Sequence, residues 1–86
     1  MWAAQALAHQ AGRVAGEVRG EVSENLKMAT HWATRSLRRR AAGEHVLTNA
    51  ELARLFGSEW GLGVSEQGEL ELALDEAERE MREAAA

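Results

Sequence analysis

Between Ala11 and Leu26 the chain reads AGRVAGEVRGEVSENL, and Gly and Val each return at every fourth position through most of it. The repeat allows two readings. As a strand, Gly12, Val14, Gly16, Val18, Gly20 and Val22 share one face and charged residues occupy most of the other. As a helix, Val14, Val18, Val22 and Leu26 form one slowly drifting ridge, and the glycines form a second ridge about 160° away. The flanks decide between them. Leu7 and Ala11 extend the Val ridge upstream, and Ala29, Trp32 or Ala33, and Leu37 extend it downstream. A strand needs turns on both sides, and none is written there. The spacing therefore predicts a long N-terminal helix. Its end is expected at RSLRRRAAG, where basic residues suit the negative end of the helix dipole and Gly43 suits the position just past it.

Three glycines weaken such a helix, each by about 1 kcal/mol relative to Ala. A bare glycine ridge can admit a second backbone at close range, and this predicts a helix–helix contact in water, including self-association. Ser23 can also cap a new segment. A break between Gly20 and Ser23 is the alternative, and it would give a bundle of four short helices.

Residues 44–86 read as two further helices. In LTNAEL, Thr48 is placed as N-cap and Glu51 three residues on, a capping box, with Leu47 and Leu52 as the hydrophobic staple. The short helix is expected to stop at Gly57, after Phe56. A glycine-rich connector follows, with Trp60, Leu62 and Val64 turned inward. The last helix is expected to start after Ser65 and run toward Ala84, along the stripe Leu70, Ala73, Leu74, Ala77 and Met81. The fold class is thus all-α. A long N-terminal helix carries a short helix and an acidic C-terminal helix that fold back on Ala29–Arg40. The expected core is Leu37, Leu52, Leu55, Phe56, Leu70, Leu74 and Met81, and Trp32 is expected beside Phe56 and Trp60.

Charge divides along the same line. Residues 1–43 hold seven basic and three acidic residues, whereas residues 44–86 hold three basic and eleven acidic ones. The first half reads as a net-basic assembly helix and the second as a capped, acidic return, together one small domain. Within 86 residues there is no Cys to staple the fold or supply thiol chemistry. The longest uncharged run, Met1–Gly12, is too short for a bilayer, which needs about twenty residues. The N-terminus lacks the basic region of a secretory signal. The expected setting is intracellular, in the cytoplasm.

Chemistry is sparsely written. His9, His31 and His45 are not spaced as ligand pairs, and a tetrahedral zinc site needs about four ligands, or three and water. Ser23, Ser36, Ser58 and Ser65 read as caps and loop residues, and the carboxylates as solvated helix faces. No catalytic residue, metal ligand or cofactor is expected.

Two local resemblances stand beside this reading. ELARLFG (Glu51–Gly57) followed by VSEQ (Val64–Gln67) resembles the first helix, turn and start of the reading helix in helix-turn-helix proteins. That resemblance implies DNA binding. Two features oppose it: Ser58–Val64 exceeds the usual turn of about three to four residues, and the reading helix would present eight acids to phosphates. GELELALDEAERE (Gly68–Glu80) looks like the ubiquitin-interacting motif: Leu70, Ala73 and Glu80 fit, while Ala77 stands where Ser belongs.

A helix of roughly 38 residues is about 57 Å long, while a partner of roughly 19 covers about 28 Å. The excess is expected to meet another chain. Trp2, Leu7, Ala11, Val14, Val18 and Val22 are the expected partner-binding residues. Arg35, Arg38, Arg39 and Arg40 are a possible contact for a polyanion or for the acidic helix. The function expected is a non-catalytic interaction or assembly subunit, joined through its N-terminal helix to itself or to a larger protein complex. The alternative is a small nucleic-acid-associated or regulatory protein, either helix-turn-helix-like or an acidic inhibitor that mimics nucleic acid.

Overall fold

The structure, a computed structural model, describes residues 15–86, with side chains from residue 20 onward. Three helices follow one another: α1 (Ala15–Ala41), α2 (Asn49–Glu59) and α3 (Val64–Ala85). Each packs on the other two, and no strand occurs among the described residues. The all-α expectation holds.

Helix α1 runs without interruption through Gly20–Ser23, so the alternative of a break there is set aside. Glycine lowers helix propensity, but it keeps its N–H and clashes with nothing, so the hydrogen-bond ladder continues. The C-terminus closes as expected. Gly43 takes φ +84°, its N–H reaches the Arg40 carbonyl at 2.9 Å, and the Glu44 N–H reaches the Arg39 carbonyl at 3.0 Å. This is a Schellman motif, which satisfies two orphan carbonyls of the last turn. At the start of α2 the capping box is complete: Thr48 Oγ1 accepts from the Glu51 N–H at 3.1 Å, and Glu51 Oε1 accepts from the Thr48 N–H at 2.9 Å.

The second glycine differs from its sequence reading. Gly57 lies inside α2 and is buried. A Cβ built there would stand 2.4 Å from Gln67 Cγ on α3. Its role is close approach between helices, and the stop falls four residues later. There Gly61 adopts φ +68°, and Leu62 N–H bonds the Gly57 carbonyl at 2.7 Å, a second Schellman closure. The connector therefore shrinks to Trp60–Gly63, and α3 begins at Val64 rather than after Ser65. Of the three connector residues expected inward, Leu62 is buried, Trp60 is half-buried, and Val64, on the first turn of α3, is 89% exposed.

The contacts set the helix directions. Arg40 near the end of α1 meets Glu78 near the end of α3, and Asn49 at the start of α2 meets Asp75 and Glu78. The helices thus run up, down and up. The core is small: Ala29, Ala33 and Leu37 from α1, Leu52 and Ala53 from α2, Leu62 from the turn, and Leu70 and Leu74 from α3. Leu26, Leu47, Phe56, Trp60, Ala77 and Met81 pack around it. Leu55, expected in the core, is 53% exposed. At about 100° per residue it lies on the flank of Leu52 away from Ala53 and Gly57, so it faces neither neighbour. The four leucines buried throughout, Leu37, Leu52, Leu70 and Leu74, each contribute about 1.5–3 kcal/mol of transfer free energy.

Candidate interaction surface

The packing uses only part of α1. Among its described side chains, all the buried ones lie between Ala29 and Leu37, with Leu26 at the margin. Between Gly20 and Asn25 no described residue is buried; Val22 and Asn25 are half-buried and the rest exposed. Of the ridge residues expected to bind a partner, Trp2, Leu7, Ala11 and Val14 lie outside the described residues. Val18 lies on α1, and Val22 follows it one turn on.

The arginine cluster divides in two. Arg40 turns inward and bridges three elements. Its Nη1 donates to the Leu47 carbonyl at 2.7 Å and its Nη2 to Glu78 Oε2 at 2.9 Å. Asn49 Nδ2 donates to Asp75 Oδ1 at 2.7 Å and to Glu78 Oε1 at 3.2 Å, completing a polar clasp over one end of the core. The Arg40 side chain is 18% exposed, so this charged contact is screened far less than a surface pair. Arg40 is the arginine of the cluster that contacts the acidic helix. It links α1 to α3 within the chain.

Beside the clasp, His45 fixes the loop between α1 and α2. Its Nδ1 accepts from the Leu47 N–H at 3.1 Å, which leaves Nε2 to carry the proton and donate to the Ser36 carbonyl at 2.7 Å. Ser36 Oγ lies 3.1 Å from the same Nε2, and no sequence pattern marks this role, because two of the partners are backbone groups.

Arg35, Arg38 and Arg39 face outward. With His31 they line an open groove of about 360 Å³. The Arg35 guanidinium carbon lies 5.1 Å from the centre of the Trp32 ring, and His31 meets the same ring edge-on at 5.1 Å. These are cation–π and T-shaped arrangements. Arg39 reaches Glu44 at 3.4 Å, and among the described residues no carboxylate pairs with Arg35 or Arg38. His31 is the residue that sequence reading missed. It precedes Arg35 by one helical turn, and that spacing is the signal that places it on the stripe. Trp32 stands with Phe56 and Trp60 as expected, but only at the rim. The three line a shallow groove with Glu59, and Trp32 is 41% exposed.

The acidic helix holds its own pairs. Arg79 is bound to Glu76 and reaches Glu83 at 3.1 Å, and the bond to Glu76 raises its pKa above the usual arginine value. At the α2 cap, the Thr48 N–H holds the Glu51 carboxyl below the usual carboxylate range, and Thr48 Oγ1 adds to the effect.

Both resemblances meet the geometry. The turn between α2 and α3 is Trp60–Gly63, four residues, so the turn-length objection to a helix-turn-helix falls. The charge objection stands, since α3 still holds its eight acids against Arg79 and Arg82. The ubiquitin-interacting resemblance places Leu70 at the apolar contact position, and Leu70 is 0% exposed. That face is committed to the core. Among the described residues no three His, Cys, Asp or Glu side chains are grouped to hold a metal ion, and no described helix is long and apolar enough to cross a membrane.

No family model, curated protein or solved structure matches this chain.

Proposed function

We propose that this chain is a non-catalytic helical interaction or assembly subunit, which associates with itself or with a larger protein complex through the N-terminal part of its long helix. The observation that carries the reading is the incomplete cover of α1. Among the described side chains of α1, those from residue 20 on, α2 and α3 bury residues only from Ala29 onward, while the same helix extends back to Ala15. The radius of gyration, 16.2 Å, exceeds the roughly 11–12 Å of a compact chain of this length. An amphipathic helix prolonged past its own core exposes an apolar ridge that water does not favour, and a second chain can cover it. Three of the described titratable side chains are engaged structurally: His45 with backbone groups, Glu51 in a cap, and Glu78 in the clasp.

Light scattering on the full chain across a range of concentrations tests the reading, alone and with a known binding partner once one is captured. Val18→Asp is expected to reduce association by at least about tenfold, because a charge placed in an apolar contact must be desolvated. The helical signal of residues 26–86 should persist. An unchanged mass and unchanged binding in that variant would overturn the proposal.

A further inference from the structure

We infer that the outward basic stripe of α1 is a docking surface for the acidic outer face of α3 in a second copy of this chain. His31, Arg35, Arg38 and Arg39 are all exposed. At about 100° per residue they occupy an arc opposite Ala29, Ala33 and Leu37, and they span about 12 Å along the axis. Glu69, Glu76, Glu80 and Glu83 are likewise exposed. They form a stripe on the side of α3 away from Leu70 and Leu74, about 21 Å long. The cations repeat at the helical pitch, and so do Glu76, Glu80 and Glu83, with Glu69 two turns before them, so charges one turn apart on one meet charges one turn apart on the other.

Part of this charge is used within one molecule, since Glu76 and Glu83 hold Arg79 and Arg39 reaches Glu44; among the described residues Arg35 and Arg38 on one stripe and Glu69 and Glu80 on the other form no salt bridge. Each stripe lies on the solvent side of its helix, and the core lies between them. Arg40, the one arginine of the cluster that turns toward α3, already holds Glu78. Between Lys27 and Gly43 there is no Asp or Glu, and Glu44 just beyond reaches Arg39 but neither Arg35 nor Arg38. A nucleic acid would meet this stripe on a chain of net charge −4. A copy of the chain brings an acidic stripe of matching pitch and greater length, and this favours the copy as occupant. The contact is head-to-tail, with two different surfaces meeting, so it is distinct from any two-fold pairing through the N-terminal ridge and does not depend on it.

Sedimentation of the full chain at about 20 mM and about 500 mM salt tests this, because pairing between exposed charges is screened at the higher ionic strength. Wild type is expected to show a self-association that weakens at least about tenfold at high salt. Arg35→Gln/Arg38→Gln and, separately, Glu69→Gln/Glu80→Gln should each lose that salt-sensitive part while keeping the wild-type circular dichroism. An equimolar mixture of the two variants should regain it as a one-to-one pair, since one variant keeps the basic stripe and the other keeps the acidic face. The proposal is overturned if the mixture regains nothing, or if neither variant changes the salt-sensitive mass. It is also overturned if Arg35→Gln/Arg38→Gln abolishes retention of an oligonucleotide at low salt without altering self-association; the stripe then belongs to a polyanion. Association through the N-terminal ridge is apolar and persists at high salt, so its failure or success is read separately, in Val18→Asp.

Discussion

From Leu26 to Arg40, α1 is packed on one side by two helices and closed at its end by Gly43 and by the Arg40 clasp. From Ala15 to Asn25 the same helix continues with no buried residue among those whose side chains are described. The sequence treats the two stretches alike, with an apolar residue at every third or fourth position of each. What separates them is the length of the return. Helix α2 has 11 residues and α3 has 22, against 27 in the described part of α1. Periodicity says that a face wants cover, and only the lengths and directions of the other elements say which part receives it.

The largest expected effect lies in the covered stretch. Leu37→Ala removes one of four leucines buried throughout, and large-to-small changes of this kind cost about 2–5 kcal/mol. In a domain this small that is most of the stability. Urea unfolding followed by circular dichroism should show the full chain losing most of its helical signal at low denaturant. A loss under about 1 kcal/mol would mean that the core as drawn does not hold the fold.

Two glycines sharpen the contrast. At Gly57 a Cβ would meet Gln67 Cγ at 2.4 Å, and the amide of that Gln67 donates to the Leu62 carbonyl at 3.0 Å. Gly57→Ala must displace the side chain and its bond, an overpacking expected to cost about 1–3 kcal/mol. At Gly20 nothing lies within 4 Å of the added carbon. Gly20→Ala should therefore stabilise the helix by about 0.8–1 kcal/mol, the propensity difference alone. Opposite shifts of the urea midpoint would mark Gly57 as a packing glycine and Gly20 as a helix-interior one. Equal shifts would mean that the two stretches do not differ in cover.

Much of the fold was legible because its signals are local. The capping box at Thr48 and Glu51, the stop at Gly43 and the stripe Leu70–Leu74 each depend on residues within a turn or two of one another. The misreadings share a different cause. A glycine that ends a helix and a glycine that admits a neighbour look the same in sequence, so Gly57 read as a stop although Gly61 holds that place. Leu55 and Val64 read as core because they are apolar, whereas their exposure follows from the direction in which α2 meets α3. The candidate surfaces divide likewise. Spacing collected Arg35, Arg38, Arg39 and Arg40 into one cluster, but only the tertiary contacts separate Arg40 from the others and add His31. The Asn49 and His45 contacts join elements far apart in the chain or use backbone groups, and no pattern in a single sequence encodes those.

The smallest effect belongs to the cap that starts the return helix. The Thr48 N–H, donating at 2.9 Å, holds the Glu51 carboxyl below the usual carboxylate range. A carboxyl whose pKa is lower in the folded chain contributes stability that is fully present above its unfolded pKa and is lost as pH falls through the folded value. Glu51→Gln keeps an oxygen that can accept from the Thr48 N–H but cannot titrate, since Gln serves the capping box as Glu does. The two proteins differ in this one group, so the difference between them reports on it. Wild type should exceed Glu51→Gln slightly at neutral pH, and the margin should shrink as pH drops through the acidic range. The group is exposed, so added salt should also narrow the margin at neutral pH. A margin that stays constant from neutral pH to about pH 3 would mean that the carboxylate charge contributes nothing at this cap, and that the hydrogen bond to Thr48 acts through geometry alone.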